Sequence, residues 1–437
     1  MRRLPALCLV VLVTLLVASC NPASQPQPTD DAAAPADATE PVVVTLAYNR
    51  FLQTSFTDYP APIDVIRTAV AEQHPNIEVQ LNIVPDAMGA YRDALAVWIS
   101  TEDPTIDIYG MDTPWVLEFG EAGWAEPLNE HLPTLEENFF PVGLDLFSYQ
   151  GQRLGVPFWG SIGGMFYRTD LLEQYGFEPP ATYDDLEEIV TTITADQPEL
   201  TGFVWPGARE EALVQVWAEF FLGFGGEYFD EAGTCTINSP AGIQAVGFMV
   251  DTIESGLSPR ETPGWNAEEA RTRFVSGEAV FLRHNQDIVT WLDDPEQSQV
   301  AGNWGFMPNP AQPLGRPTGA TGGFAFAINP YTDNLEAAID VLAVIASEEV
   351  QKGFALAWGP VQYYEGLYKD TAVQETNPNV QLIETVLDSA APRPPSTSYT
   401  QLSDIIQEEI HAALTGIKPV EAALNDACSR IDTLHEQ

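Results

Sequence analysis

From Val42 onward, apolar residues recur with two alternating periods. Val42 to Asn49 is a β-branched run, and Ile77 to Val84 alternates through Ile77, Val79, Leu81 and Ile83, so each predicts a strand. Between them, Ile63, Ile66 and Val70 share one face of a predicted helix, Ile63 to Gln73. Met88 to Ser100 predicts a further helix and Ile106 to Met111 a buried strand, after which Thr113-Pro114 opens a helix with a cap and a first-turn proline. Repetition of this unit implies a parallel sheet with helices on its faces. In such sheets ligands collect at the carboxyl ends of the strands. Asn49, Asp86 and Asp112 each follow a predicted strand and are expected at one rim, a helix cap or surface turn being the plain alternative for Asp112.

A second α/β lobe is expected from about Val156. Gly164 to Arg168 is a short strand, and Thr182 to Thr194 is a helix opened by the capping-box sequence Thr182-Tyr-Asp-Asp185. Phe203 to Pro206 ends a strand, and Glu210 to Gly223 is a helix. Strands Ala279 to Arg283 and Gly323 to Asn329 bracket a loop, Met307 to Gly322, rich in Pro, Gly and Asn. Helices close the chain: Leu335 to Ala346, Leu402 to Leu414 stopped by Gly416, and one from Pro419 toward Leu434. No repeat of fixed period is visible.

The first forty residues behave differently. Arg2 and Arg3 precede an apolar run, Leu4 to Ala18, that falls short of the ~20 residues needed to cross a bilayer, so residues 1–19 read as an export signal. Residues 21–41 hold five prolines, four acids and no Leu, Ile, Val or aromatic residue. They cannot bury enough apolar surface to offset the entropy of ordering, and form a tether.

Charge narrows the partners. The formal charge is -45, and removing Arg2 and Arg3 with the leader makes it 16 - 63 = -47. Nucleic acid and anionic lipid headgroups both require clustered Lys and Arg, so neither is an expected ligand. Of the four cysteines, Cys8 leaves with the leader, Cys20 follows it, and Cys235 and Cys428 remain in the body as a disulfide or as two buried thiols. The histidines at 74, 131, 284, 411 and 435 show no zinc-ligand spacing, so no metal and no cofactor is expected.

Two resemblances add to this reading. Leu16-Val17-Ala18-Ser19-Cys20 resembles the lipobox of bacterial lipoproteins, which implies acylation of Cys20. Arg168-Thr-Asp-Leu-Leu-Glu-Gln-Tyr-Gly176 followed by Pro179-Pro180-Ala-Thr-Tyr-Asp-Asp-Leu186 resembles the extracellular sugar-binding proteins of bacterial ABC importers. Tyr91-Arg-Asp-Ala-Leu95, Phe119-Gly-Glu-Ala-Gly-Trp124, Phe203-Val-Trp-Pro-Gly207, Phe274 to Arg283, Gly322 to Asn329 and Arg393-Pro394 ahead of Tyr399 fall in the family's order, and the look is nearest to trehalose and maltose binders.

The resemblance implies a two-lobed α/β fold of the periplasmic-binding-protein type (type II), hinged around a ligand cleft. It implies lobe 1 from 42–153 plus 284–330 and lobe 2 from 154–283 plus 331–437, after a signal at 1–19 and a lipidated, disordered tether at 20–41. It also implies a monomer that binds a di- or oligosaccharide and hands it to the transmembrane subunits of an ABC permease. The protein would be exported, touching the membrane at its outer face only through the lipid. No bond is broken in such a mechanism. An exported glycoside hydrolase or a sugar-sensing receptor partner is the alternative, but no acid sits in a catalytic motif and there is no G-x-S-x-G elbow.

Sugars offer hydroxyls and flat C–H faces, so their sites combine acids, amides or arginine with aromatic rings. By position in the family's motifs, Asp112 would bond hydroxyls, Trp159 would stack, with core packing as its alternative, and Arg393 would reach into the cleft, with a surface salt bridge as its alternative. A second tier is Asn49, Trp115, Ser161, Trp205, Arg209, Asn285 and Phe324, weighed against core packing or loop hydrogen bonding; Trp265 and Trp358 are further stacking candidates. Ser161 stands where related disaccharide binders carry an aspartate, Asn285 where a tryptophan is expected, and Phe324 where Gly-Gly-Trp is common, which implies a different saccharide.

Overall fold

The computed structural model describes residues 41–359 and 363–436; the leader, Cys20 and the tether up to residue 40 lie outside the described residues. The chain begins with three parallel strands, β1 (Val42–Tyr48), β2 (Ile77–Ile83) and β3 (Ile108–Asp112), connected through α1 (Pro62–Gln73) and α2 (Met88–Ser100). Helices α3 (Val116–Ala122) and α4 (Pro141–Asp145) and a small hairpin, β4 (Ser148–Tyr149) with β5 (Gln152–Arg153), lead into β6 (Val156–Arg168).

Beyond β6 come α5 (Thr169–Tyr175), α6 (Tyr183–Asp196), β7 (Thr201–Val204), α7 (Glu211–Gly223), α8 (Pro240–Ser255), α9 (Ala267–Val275), β8 (Ala279–Asn285), α10 (Val289–Leu292) and β9 (Trp304–Met307). The chain then returns along β10 (Gly319–Ile328) to α11 (Leu335–Ile345), α12 (Glu348–Trp358), α13 (Thr371–Thr376) and α14 (Val380–Leu387). It ends with β11 (Ala390–Pro392), α15 (Tyr399–Leu414) and α16 (Val420–His435).

The nine strands other than the hairpin form one ladder, β2-β1-β3-β10-β6-β8-β7, with β11 on β10 and β9 on β6. β6 is the bridge. Its first half, through Ile162, pairs with β10, and its second half, from Gly163, pairs with β8 and β9. Two apolar cores follow from this division. One gathers β1–β3, β10 and the helices α1, α11 and α12; the other gathers one face of β7 and β8 with α5–α8, α15 and α16.

Two expectations are corrected by this packing. The sheet is mixed, because β10 runs antiparallel to both β3 and β6. The strand expected over 164–168 is thirteen residues long and starts at Val156. Within 284–330, β9 pairs with the second half of β6. Within 331–437, α11 and α12 pack on α1 in the first core, and α11 also meets β1 and β10. The helices at 183–196, 211–223, 335–345, 399–414 and 420–435 lie where the periodicity placed them, whereas α8 and α12 were not anticipated. Cys235 and Cys428 are disulfide-bonded, with Cα atoms 5.2 Å apart, fastening the loop before α8 to α16. No helix among the described residues is long and apolar enough to cross a membrane.

Candidate functional site

Parallel pairing of β1 with β2 and β3 aligns their carboxyl ends, so Asn49, Asp86 and Asp112 emerge on one edge. Asn49 caps the short helix Arg50–Gln53, its Oδ1 accepting from Phe51 N at 3.0 Å, and Asp86 pairs with Arg50 at 2.9 Å. Asp112 is different. It makes no cap bond, its side chain is 17% exposed, and burial pushes its carboxyl up to about 6; Arg393 pulls the other way and Glu211 adds to the rise.

Beside this edge lies a cleft of about 490 Å³. One wall is Thr113, Pro114 and Leu117 with Val142 and Leu146; the other is the turn from Pro392 to Ser396 with Tyr399. Arg393 spans between them. Its Nη1 donates to Glu211 Oε1 at 2.8 Å and its Nη2 to Thr113 Oγ1 at 3.0 Å, while Asp112 Oδ1 stands 4.0 Å away. Burial works against its charge, but Tyr399, Glu211 and Asp112 outweigh that and hold its pKa above the usual arginine value. The guanidinium fits there because residue 322 is a glycine: a Cβ at that position would lie 2.8 Å from Nη2.

The structure therefore brings Asp112 and Arg393 together. Trp159 lies across the ladder from Phe324, with ring centroids 5.8 Å apart and its buried Nε1 without a partner; neither it nor Asp112, which sits behind Thr113, is among the residues lining the cleft. Ser161, also on β6, presents its carbonyl to Thr321 Oγ1 at 2.9 Å, and Asn285 ends β8 with a buried, unpartnered Oδ1. Phe324 packs edge-on to Tyr48.

Others are elsewhere. Trp115 packs against Tyr91 and Phe119 in the first core, Trp205 is fully buried in the second with Nε1 on Ser258 Oγ at 3.0 Å, and Arg209 is 54% exposed beside Glu408. Trp358 stacks on Phe51, and Trp265 lies under Arg273. Sequence reasoning missed Thr113, Glu211 and Ser403. Thr113 was visible only as a helix opener, and Glu211 only as one of two acids at the start of a helix.

Among the described residues there is no group of three or more His, Cys, Asp or Glu able to hold a metal. The cleft offers hydrogen bonds and apolar walls, the provisions of a binding site.

Comparison with known proteins agrees. A "probable ABC transporter-binding protein" of Deinococcus radiodurans is 28% identical over 320 residues, covering 71% of this chain and 75% of that one. The maltotriose-binding protein of Pyrococcus abyssi is 26% identical over 212 residues, 48% of this chain and 42% of the other. The maltose-bound MalE3 of T. maritima superposes with a TM-score of 0.75 at 30% identity, covering 90% of this chain and 100% of that one. The sugar-binding protein MalE of Xanthomonas citri superposes with a TM-score of 0.76 at 18% identity, over 90% and 97% of the two chains, and shows the same two-lobed fold. The family is one of solute-binding proteins of ABC transporters, not of enzymes. Residues 53–352 match the model of the bacterial extracellular solute-binding proteins, and the chain belongs to that family.

Proposed function

We propose that the protein binds a neutral di- or oligosaccharide in the cleft between its lobes and passes it intact to the transmembrane subunits of an ABC permease. The observation that carries this reading is Arg393, a mostly buried cation directed across a cleft whose size suits a small ligand and whose walls are largely apolar. Guanidinium and carboxylate supply donors and acceptors for hydroxyls, while Pro, Val and Leu side chains meet the C–H faces of the rings. In this reading Asp112 and Arg393 touch the sugar. Trp159, Phe324, Ser161 and Asn285 surround the crossing strands and act on ligand only through closure.

Binding favours the closed arrangement of the lobes, and that arrangement is what the permease selects. The maltose and maltotriose named for two relatives support a glucose-based ligand. Acylation at Cys20, the tether through residue 41 and a monomeric body complete the proposal, keeping the protein at the outer face of the membrane.

Maltose, maltotriose and a wider saccharide panel test it by thermal shift, since a ligand that prefers the folded state raises the midpoint by mass action. Calorimetry on a hit should then show Arg393→Ala losing about 1.5–3 kcal/mol of affinity, the scale of a charged hydrogen bond. Unchanged affinity removes Arg393 from the site. Release of monosaccharide from the incubated ligand would overturn binding as the activity.

A further inference from the structure

Among the described residues Arg393 has two hydrogen-bond partners: Thr113, which lines one wall of the cleft, and Glu211, which meets Tyr399 of the other. Glu211, at the start of α7, takes Nη1 at 2.8 Å; Thr113, directly after β3, takes Nη2 at 3.0 Å. Glu211 is itself gripped from α15. The Tyr399 hydroxyl donates to the same Oε1, and the Ser403 hydroxyl donates to Oε2 at 2.5 Å while accepting from Gln407 Nε2 at 2.9 Å. A carboxylate receiving three hydrogen bonds from three side chains is fixed in place, and so is the guanidinium that leans on it.

Nothing else in the cleft does this for Arg393. Gly322 beneath it offers only space, the Tyr399 ring lies 5.5 Å from its central carbon, and Asp112 Oδ1 at 4.0 Å is beyond hydrogen-bond reach. Asp112 is nevertheless the opposite charge to which a released guanidinium would turn.

We infer that Glu211 is the positioning residue for the cation of the cleft: it holds Arg393 on Thr113 with Asp112 Oδ1 kept 4.0 Å from the same Nη2, and thereby sets how the guanidinium meets a saccharide. The inference rests on the function proposed above for Arg393, but its main test needs no ligand. The groups facing Asp112 are Arg393, Glu211, the Thr113 hydroxyl and the hydroxyls of Tyr48 and Tyr399. Burial raises its carboxyl, Arg393 lowers it, and Glu211 raises it. Replacing Glu211 by glutamine removes one upward influence and frees Arg393 to approach, so both changes act downward. Loss of the charge alone also lowers Asp112, so positioning is read as the part of the fall that vanishes when Glu211→Gln is made in an Arg393→Gln background.

The experiment is a carboxyl-carbon NMR titration of aspartate-labelled protein, with the Asp112 signal identified by its loss in Asp112→Asn. In Glu211→Gln the Asp112 midpoint should fall by about one unit or more, a tenfold change in proton affinity. An unmoved midpoint, or a fall of equal size with and without Arg393, overturns the inference.

A second arm measures maltose and maltotriose affinity in Glu211→Gln, Arg393→Lys and the double variant. Each single change should weaken binding about tenfold, and the double should be no weaker than the weaker single, because both remove one unit of the site. Losses that multiply overturn the inference. A protein that shows the Asp112 shift yet binds neither sugar retains the positioning role and rejects the carbohydrate reading instead.

Discussion

Asp112 sits where stability and binding pull apart. Its carboxyl is buried behind Thr113 and pushed up to about 6, so the folded protein binds a proton there more tightly than the unfolded chain does. Stability from this group is therefore present at low pH and lost as pH rises toward and through 6. At neutral pH the charged carboxylate is a cost, kept for the hydroxyls it would bond. Asp112→Asn removes the charge and should stabilise the ligand-free protein by about 2 kcal/mol at pH 7, a value discounted from the full shift for partial exposure. The gain should shrink as pH falls through 6 and disappear below about pH 3, where wild type is protonated in both states. Thermal denaturation of the two proteins at several pH values checks this; a gain that does not shrink on acidification would mean the asparagine acts through packing.

At the level of elements, the point that holds the lobes in register is a buried ion pair. Glu219 of α7 accepts from Arg283 of β8 through two bonds, Nε at 2.5 Å and Nη2 at 2.6 Å, and its Oε1 also accepts from Ala320 N of β10 at 2.8 Å. Gly163 of β6 completes the arrangement, since a Cβ there would lie 2.0 Å from that oxygen. One helix and three strands, β6 among them, meet at a single carboxylate. Glu219→Ala leaves Arg283 charged, buried and unpaired, and should cost about 3–5 kcal/mol in urea unfolding. A loss below 1 kcal/mol, the scale of an exposed pair, would show that water reaches Arg283.

The same region marks where the sequence stops being readable. The capping box of α6 and the face periodicity of α16 are local and were visible in the chain. β6 was not visible as one strand, because Gly160, Gly163 and Gly164 break its alternation for reasons that lie in other segments: Tyr363, Glu219 and Phe306 occupy the space their side chains would fill. The site divides likewise. Asp112 follows a strand and Arg393 stands in a family motif, but Glu211 takes its role from partners 182 and 188 residues away. Trp115 and Trp205 were candidates as aromatics, and composition does not tell a ring facing a cleft from one filling a core.

For the molecule as a whole, the last two helices are a late addition to a lobe built mostly from residues before 307. α15 and α16 pack on each other, on α7 and on α8, and α15 brings Tyr399 and Ser403 to Glu211. Their apolar side is sealed by Leu402, Ile406, Ile410, Leu424, Ala427 and Ile431. The Cys235–Cys428 bond covalently closes this arrangement over a separation of 193 residues. Chain entropy alone assigns a loop of that size about 5 kcal/mol, and native disulfides commonly deliver 2–4 kcal/mol because the open chain keeps some structure. Reduction, or Cys235→Ser with Cys428→Ser, should therefore lower the melting temperature by several degrees while the fold persists at 25 °C, since the apolar seam remains. Paired calorimetric scans of oxidised and reduced protein measure the difference. Equal midpoints would mean that the seam docks the helix pair unaided, whereas loss of the folded state on reduction would mean that the second core cannot close around its own C-terminus without the covalent link.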